Sequence, residues 1–508
     1  MANLLGIDIG TSAVKAIIGN DRGAILSQAE VAYPLFIPRP GWSEQNPEDW
    51  WRASVKAVRR ALAGAGGKAP ILGIGLSGQM HGSVFLDRGG RVIRNAILWN
   101  DQRTRAECGE ILRRAGGPRR VLRMVANPVF TGFTAPKILW LRNHEPRNFS
   151  RVRRILLPKD YLRFRLTGEF AGEMSDASGT LLLDVARREW SRPMLAKLDL
   201  DPELLPPIFE STEVSGRLSA SAAKLLGLPP GVPVAGGGGD QAMGAVGNGI
   251  VKKGVASATI GTSGVIFSHT DRMETEPRGR VHTFCHAVPG TWHLMSCMLS
   301  AGGMLEWFVK TLCREEARRA AESGRNVYDL VAAAAARAPA GAGGLYCLPY
   351  LTGERTPHSD PDARACFIGL TPGHDKAWLA RSVIEGVTFG MRDSLEVMRS
   401  LGAGATTMRL SGGGAKSRFW SRLQADIYGV EVEITNSTAG SAFGALLTGG
   451  VGAGVWRSLP EACEAAIRVV RRFSPDRKSQ AEYDRLYRPF GKLYESLRDN
   501  FREIAELG

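Results

Sequence analysis

The stretch NLLGIDIGTS at residues 3–12 decides the fold, because part of it occurs a second time in the chain. Ile9-Gly10-Thr11-Ser12 recurs as Ile260-Gly261-Thr262-Ser263, nearly half of the 508 residues further on. Each copy lies between two apolar, strand-like runs: Asn3–Ile9 and Ala13–Ile18 for the first, Val255–Ile260 and Gly264–Phe267 for the second. Four residues can recur by chance, but a repeated strand-turn-strand unit predicts two related halves that face each other across a central cleft.

The residues around the first copy predict local structure. The polar turn 19–23 separates Ala13–Ile18 from a further run, Ala24–Gln28, so we expect a hairpin. Asn46 before Pro47 predicts the start of a helix that continues to about Ala63.

A change of composition near the middle of the chain predicts a domain boundary. The glycine run Gly236–Gly239 and the turn Gly247-Asn248-Gly249 lie there. We therefore expect an α/β protein with an N-terminal domain over residues 1–248 and a C-terminal domain over residues 249–508.

Composition and charge exclude several classes of protein. With 44% hydrophobic and 23% charged residues, the chain is neither disordered, collagen-like nor a long coiled coil. Its formal net charge is +15, but the basic residues are scattered, and neither RNA-binding aromatic motifs nor zinc-finger spacing accompany them. Nucleic acid is therefore not a predicted partner, and a gel shift would test this alternative.

The cysteines and the apolar segments bear on the compartment. Seven cysteines form no CxxC pair, which is typical of a reducing compartment. The N-terminus resembles no signal peptide, and the uncharged stretch 440–456 contains too much glycine for a membrane helix. We expect a cytoplasmic protein with no membrane partner.

Asp8 and the turn after it are a candidate phosphate and metal element. Glycine lets backbone N–H groups approach an anion closely, and Thr11 and Ser12 add hydroxyl donors. A carboxylate beside them suits Mg²⁺, which prefers oxygen ligands and keeps several waters. The alternative interpretation is a turn whose polar residues cap their neighbours.

The sequence contains three other glycine motifs that are candidate ligand sites. The stretches 261–264 and 411–415 allow further close backbone approaches to a ligand. The second is not a P-loop, because Ala415 stands where glycine is required before Lys416. Gly73–Gly78 fits GxGxxG, but no helical pattern follows it, so the sequence does not favour a nicotinamide-dependent dehydrogenase.

Asp240 is the candidate general base. It follows four glycines that open space for a ligand, and its carboxylate could accept a proton from a substrate hydroxyl. An N-cap aspartate is the structural alternative. Gln79, Met80 and His81, with Trp99-Asn100-Asp101, would supply polar groups against an apolar wall, as sugar sites need.

These motifs together resemble the FGGY family of carbohydrate kinases. GFTAPKILWLRNH at residues 132–144 fits the first family signature throughout. Further blocks resemble the family members that phosphorylate D-xylulose: WSEQ (42–45), QMHG (79–82), LWND (98–101), LPKDYLR (157–163), MSDASGT (174–180) and GERTP (353–357). The resemblance runs from about residue 3 to beyond residue 490.

The resemblance implies a two-domain, actin-like ATPase fold, which is also called ribonuclease-H-like, with duplicated halves. It implies ATP-dependent phosphorylation of D-xylulose at the 5-hydroxyl, with Mg²⁺. Residue by residue, it implies a catalytic base at Asp240 and a metal contact at Asp8. It implies substrate contacts at Gln79, Met80, His81, Asp101 and Asp240. It implies nucleotide contacts at Thr11, Ser12, Gly261, Thr262, Gly413, Gly414 and Ala415. Gln241 follows the base where some members carry asparagine, which leaves fine specificity open.

The alternatives within this resemblance concern the substrate and the assembly. A kinase for another ketose or polyol, such as ribulose or a sugar alcohol, is the runner-up. The expected partners are the sugar and ATP, and the protein is expected to be a monomer or a homodimer.

Overall fold

The computed structural model describes residues 3–66 and 70–507. The chain forms two compact units, and each is built from three segments. The first unit contains the residues up to Lys252 together with Thr270–His293 and Ser437–Arg468. The second contains Lys253–His269, Leu294–Asn436 and the residues from Val469 onwards.

Short strands and helices alternate in the first half of the chain. Its strands are β1 (Asn3–Ile9), β2 (Ala13–Asn20), β3 (Ile25–Ala32), β4 (Glu44–Gln45), β5 (Ile71–Gly78), β6 (Val84–Leu86), β7 (Ala96–Ile97), β8 (Arg154–Leu156), β9 (Gly172–Glu173), β10 (Leu183–Asp184), β11 (Glu189–Trp190), β12 (Ile208–Phe209), β13 (Val214–Arg217), β14 (Pro233–Ala235) and β15 (Gly238–Gly239). Its helices are α1 (Pro47–Gly64), α2 (Arg105–Ala115), α3 (Pro118–Val125), α4 (Thr134–His144), α5 (Pro146–Phe149), α6 (Pro158–Thr167), α7 (Met174–Ala177), α8 (Arg192–Leu198), α9 (Ala220–Leu226) and α10 (Asp240–Gly247), with 3-10 turns at Ser178–Thr180 and Pro202–Leu204.

The second half has fewer strands and longer helices. Its strands are β16 (Val255–Ile260), β17 (Gly264–Thr270), β18 (His282–Cys285), β19 (Trp292–Met295), β20 (Tyr346–Leu348), β21 (Cys366–Ile368), β22 (Thr407–Gly412), β23 (Glu431–Thr435) and β24 (Val469–Phe473). Its helices are α11 (Gly302–Leu312), α12 (Arg314–Ser323), α13 (Val327–Ala335), α14 (Lys376–Ser400), α15 (Arg418–Tyr428), α16 (Gly440–Gly452), α17 (Leu459–Ala466) and α18 (Arg477–Leu507), with 3-10 turns at Ala340–Gly344 and Gly414–Lys416.

A mixed sheet forms the centre of the first unit. Its strand order is β13-β14-β5-β1-β2-β3, and β15 adds to β5 beyond the end of β14. Strands β1, β5 and β14 are parallel, while β2 and β3 fold back as the predicted hairpin. The last strand of that hairpin runs to Ala32, four residues further than the sequence indicated.

The second unit repeats this pattern of strands. Five of its strands pair in the order β17-β16-β22-β23-β24. Strands β17 and β16 are antiparallel, and β22 and β23 continue parallel to β16. The first unit has the same arrangement in β2, β1, β5 and β14. The register also repeats, because Ile9 pairs with Gly78 and Ile260 pairs with Gly412. The predicted α/β fold with duplicated halves is therefore confirmed in the topology of the two units.

Close packing of α16 on strands β1 and β5 explains the GxGxxG pattern. A Cβ atom at Gly75 would lie 1.7 Å from the carbonyl oxygen of Ala445, and one at Gly6 would lie 2.3 Å from that of Ala442. Glycine is needed because the helix lies directly on the strands. The strand ends at Gly78 without opening a helix, so this is a packing motif of the core and not a dinucleotide site.

Helix α1 begins as predicted. The Asn46 side chain accepts a hydrogen bond from the Glu48 N–H at 3.0 Å, and Pro47 is the first helical residue. Trp50, Val58 and Ala61 on its inner face are fully buried. The cap and the apolar spacing thus place α1 against the first sheet.

Within residues 3–66 and 70–507, no helix has both the length and the apolar composition that a bilayer crossing requires. The uncharged stretch that begins at Gly440 forms the buried helix α16.

Candidate active site

Asp8 lies one residue before the end of β1, at the carboxyl edge of the first sheet. Its Oδ2 accepts a hydrogen bond from the Ser441 hydroxyl at 3.2 Å. Its Oδ1 is buried and has no hydrogen-bond partner among the described residues. Burial raises the pKa of Asp8, and the hydrogen bond from the Ser441 hydroxyl opposes that rise. One carboxylate oxygen is therefore available to a cation.

The turn after β1 is held by several contacts. Gly10 N–H donates to Ala13 O at 3.0 Å, and the Tyr33 hydroxyl donates to Gly10 O. The Gln45 amide donates to Thr11 O at 2.6 Å, and the Trp99 indole donates to Thr11 Oγ1 at 3.1 Å. The turn is fixed, while the neighbouring Ser12 is exposed.

Asp240 is the first residue of α10, directly after β15. Strands β1, β5 and β15 are in register, so that Asp8 pairs with Ser77 and Ser77 with Gly238. Asp8 and the residues that lead into Asp240 therefore lie at the same edge of the sheet, on strands that both pair with β5. Asp240 is partly exposed, yet the surrounding protein removes most of the water from its carboxylate.

The electrostatic environment of Asp240 suits a general base. Burial, followed by the negative charge of Asp8, raises the pKa of Asp240 to about 7, and hydrogen bonding from the backbone and side chain of Gln241 opposes the rise. A base with a pKa near the working pH is deprotonated often enough to act and basic enough to accept a proton.

Gln79, Met80 and His81 follow β5, the strand that pairs with both β1 and β15. Gln79 N–H donates to Ile9 O at 2.8 Å, and the Gln79 amide donates to Gln45 Oε1 at 2.8 Å. Met80 packs against Gly239, where a Cβ atom would lie 2.8 Å from Met80 Cγ. The structure thus places two of these three predicted substrate residues in contact with the strand that carries Asp8 or the strand that leads into Asp240.

His81 is held in an unusual backbone conformation. Its φ angle is 69°, in the left-handed region that non-glycine residues seldom adopt. Its Nδ1 lies 2.7 Å from Gly179 O, and its ring meets the Phe133 ring edge-on at 4.8 Å. Backbone strain of this kind persists where the surroundings fix it, often at functional sites.

Lys137 supports His81 and was not singled out from the sequence. Its fully buried ammonium donates to His81 O at 2.8 Å and to Gly132 O at 2.5 Å. Burial lowers its pKa to about 7. Lys137 lies within the block 132–144, which was recognised as a whole, while its contact with residue 81 could not be read from the sequence.

Asp101 is fully buried and engaged with the protein itself. Its carboxylate accepts two-point hydrogen bonds from the Arg103 guanidinium, with Nη2 to Oδ2 at 2.7 Å and Nε to Oδ1 at 2.9 Å. Ser43 N–H donates to Oδ2 at 2.6 Å. Asp101 thus anchors a polar cluster, and its predicted contact with a sugar hydroxyl stays a prediction.

In the second unit, a cavity of about 310 Å³ brings together most of the predicted nucleotide residues. Gly261 and Thr262 from the turn after β16, and Gly413 and Gly414 after β22, line it. Among the described residues, Ala415 is outside the lining although it follows Gly414 in the same 3-10 turn. The cavity also has an apolar wall: Leu305, Ala332, Ile384 and Trp420.

Backbone geometry brings the two glycine turns of this cavity together. Gly412 has a φ angle of 77°, and a Cβ atom there would lie 2.4 Å from Ile260 O. Gly413 N–H donates to Ile260 O at 2.7 Å. Lys416 and Ser417 also line the cavity, and the sequence could have indicated them through their place in the GGGAKS run.

The residues around Asp8 fit a hydrated Mg²⁺. The unpaired Oδ1 is a suitable ligand, and the described residues contain no group of three or more His, Cys, Asp or Glu side chains that could enclose a metal. Mg²⁺ commonly binds through one or two carboxylates and keeps its waters. The donor set therefore suits an ion that is shared with a phosphate substrate.

The repeated sheet, the strand-end carboxylates and the glycine-lined cavity, together with two family matches, define a sugar kinase with an actin-like ATPase fold. Residues 3–247 match the N-terminal domain of the FGGY family of carbohydrate kinases, and residues 256–453 match its C-terminal domain. The chain belongs to this family.

Several relatives match almost the whole chain. It is 41% identical to the xylulose kinase of Escherichia coli strain K12, covering 97% of this chain and 99% of that protein. It is 43% identical to the xylulose kinase of Klebsiella pneumoniae over 87% and 88% of the two chains. The solved structure of xylulose kinase from Rhodospirillum rubrum matches with a TM-score of 0.92 at 31% identity, covering 98% of this chain and all of that one.

Proposed function

We propose that the protein transfers the γ-phosphoryl group of ATP to the 5-hydroxyl of D-xylulose, giving D-xylulose 5-phosphate and ADP. The near full-length similarity to xylulose kinases supports the choice of sugar. The observation that carries the chemistry is the pKa of Asp240, which burial and the negative charge of Asp8 raise to about 7.

Asp240 acts as the general base. Its carboxylate accepts the proton of the sugar hydroxyl as the hydroxyl oxygen forms a bond to the γ-phosphorus and the bond to the ADP oxygen breaks. Phosphoryl transfer through a loose transition state depends mainly on positioning and charge stabilisation. The base therefore needs to take the proton as the new bond forms, for which a pKa near 7 is sufficient.

Asp8, Thr11 and Ser12 form the first phosphate element. The Thr11 and Ser12 hydroxyls and the turn backbone would donate to phosphate oxygens, as glycine turns do. Asp8 would hold Mg²⁺ through Oδ1, and the ion, when bound, supplies positive charge that neutralises the phosphates.

The cavity of the second unit would bind the nucleotide. Gly261, Thr262, Gly413 and Gly414 line a cavity that combines backbone donors with an apolar wall, and Ala415 would support this turn from outside the lining. An apolar cleft with a few polar groups suits a nucleobase and its ribose. We propose sugar chemistry for residues 1–248 and nucleotide binding for residues 249–508, of which Thr270–His293 and Ser437–Arg468 fold with the first unit.

The sugar would lie against Gln79, Met80 and His81. Gln79 Oε1 is buried and accepts no hydrogen bond from the described residues, which leaves an acceptor for a sugar hydroxyl. Met80 offers an apolar surface next to Gly239. Asp101 would act from its ion pair with Arg103, by fixing the cluster that borders the site.

The test is ADP release from Mg-ATP with D-xylulose, run beside L-ribulose, D-ribulose, xylitol and glycerol. We expect kcat/KM for D-xylulose to exceed that for every other acceptor by at least tenfold. Activity confined to another acceptor would contradict the proposed substrate and leave the kinase chemistry standing. Absence of ADP release with all five would contradict the proposed function as a whole.

A further inference from the structure

Glu173, the last residue of β9, is a fully buried carboxylate that accepts four hydrogen bonds. Its Oε1 accepts from Ser175 N at 2.8 Å and from the Ser211 hydroxyl at 2.6 Å. Its Oε2 accepts from the Ser175 hydroxyl at 2.9 Å and from Asp176 N at 3.1 Å. A buried carboxylate is costly unless donors surround it, so these four bonds fix the positions of both serines.

The two serines reach the glycine run that precedes Asp240. The Ser175 hydroxyl oxygen accepts a hydrogen bond from Gly239 N–H at 3.2 Å. The Ser211 backbone oxygen accepts one from Gly237 N–H at 2.9 Å. Through these two serines, the Glu173 carboxylate fixes the backbone at Gly237 and Gly239.

Glycines 237 and 239 need this support because they have no side chains to hold them. Gly237 has a φ angle of 70°, and a Cβ atom there would lie 2.2 Å from Leu76 O. Strand β15 is two residues long and pairs with β5 on one edge. Glycine backbone is conformationally free, so hydrogen bonds from both edges determine where the next residue, Asp240, lies.

We propose that Glu173 is a positioning residue for the general base, acting on Asp240 through Ser175 and Ser211. This inference rests on the role of Asp240 in the proposed function. It assigns a place in the reaction to a residue that does not touch the substrate, and to two serines that the sequence motifs left without a role.

The test compares Ser175→Ala and Ser211→Ala with Ser178→Ala. Ser178 is a matched control because it is buried directly after α7, donates to Met174 O at 2.9 Å and accepts from Cys285 N–H at 3.0 Å. The variant Ser178→Ala thus loses a similar pair of hydrogen bonds, and neither of them involves the glycine run. Thermal unfolding and kinetics with D-xylulose are measured for each purified variant.

We expect kcat to fall by roughly tenfold to hundredfold in Ser175→Ala, because a small misplacement of a reacting group has effects of this size. The sugar and ATP KM values should stay within about twofold, and Ser211→Ala should show a smaller loss of kcat. Glu173→Gln should lower kcat at least as much as Ser175→Ala does. The NH₂ group of the glutamine would face N–H and O–H donors that the carboxylate accepts from, so the positions of both serines would be disturbed. Ser178→Ala should lower the Tm similarly and leave kcat unchanged.

Two results would overturn the proposal. One is a wild-type kcat in Ser175→Ala, and the other is an equal loss of kcat in Ser178→Ala, which would mean general destabilisation. If the role of Asp240 itself is wrong, Asp240→Asn will keep its activity. If this inference alone is wrong, Asp240→Asn will be inactive while Ser175→Ala is normal.

Discussion

The negative charge of Asp8 raises the pKa of Asp240, although the two residues lie far apart in the sequence. The parallel pairing of β1, β5 and β15 brings these strand ends together. One carboxylate keeps an unpaired oxygen for a cation, while the other becomes a stronger base. Two residues of one type thereby acquire different roles from their surroundings.

The first prediction concerns the dependence of activity on pH. The raised pKa means that Asp240 is protonated, and unable to accept a proton, below about pH 7. We expect log kcat/KM for the sugar to fall with unit slope as the pH drops through about 7. Steady-state rates of ADP release between pH 5 and pH 9 provide the measurement.

The variant Gln241→Ala tests whether the acidic limb of the pH profile moves with the pKa of Asp240. The hydrogen bond from the Gln241 side chain lowers the pKa of Asp240, so the loss of this bond should move the acidic limb to higher pH. Gln28→Ala, on an exposed position of β3, is the control and should leave the limb in place. A rate that is constant down to pH 5, or a limb that moves to lower pH in Gln241→Ala, would refute the assignment of the limb to Asp240.

The second prediction is that Asp240→Asn stabilises the fold at pH 8. A carboxyl whose pKa is raised on folding contributes stability below its unfolded pKa and loses it as the pH rises through the folded pKa, here about 7. After a discount for partial exposure, the charged form costs roughly 2 kcal/mol at pH 8. Urea unfolding at pH 5 and pH 8 should show the gain of the variant growing with pH; an equal or smaller gain at pH 8 would show that the charge carries no such cost.

The third prediction concerns the close packing of α16 on β5. Gly75→Ala places a methyl group 1.7 Å from Ala445 O, so we expect a loss of at least about 3 kcal/mol or failure to fold. Gly491→Ala in α18 is the control, because a Cβ atom there has no neighbour within 4 Å. The control should gain up to about 1 kcal/mol from helix propensity. Equal stability of the two variants, measured by urea unfolding, would contradict the packing.

The fourth prediction tests the cavity of the second unit as the nucleotide site. Ala332 lines this cavity, so Ala332→Phe should fill part of its space and raise the KM for ATP at least tenfold. The KM for the sugar should change less than twofold. Ala333→Phe, on the exposed face of the same helix, is the control and should leave both values unchanged. Normal ATP kinetics in Ala332→Phe would place the nucleotide elsewhere.

Much of the fold could be predicted from the sequence because the deciding signals are local. Strands β1 and β16 have the predicted bounds, and the Asn46 cap begins α1. The repeat of residues 9–12 at 260–263 corresponds to two hairpin turns in equivalent strands. A buried strand, a polar turn and a capping side chain each leave their mark within a few residues.

The site was only partly predictable, because its supporting contacts join residues distant in sequence. The sequence predicts roles for Asp8, Asp240 and the glycine turns, whereas the bond from Lys137 to His81 O and the Glu173 network leave no signal in it. The fully buried ion pair of Asp101 with Arg103 also had no local signal that would distinguish it from an open substrate contact. Such pairs form when strands and helices pack, so a linear pattern does not reveal them.

The measurement that most directly tests the central claim is the kcat of Asp240→Asn with saturating Mg-ATP and D-xylulose. Asparagine keeps the shape of the side chain but cannot accept the proton, so we predict a fall of roughly 10² to 10⁴. Asp375→Asn, at the cap of α14, should retain full activity because asparagine caps a helix equally well. A value of kcat for Asp240→Asn within threefold of the wild type would contradict the account.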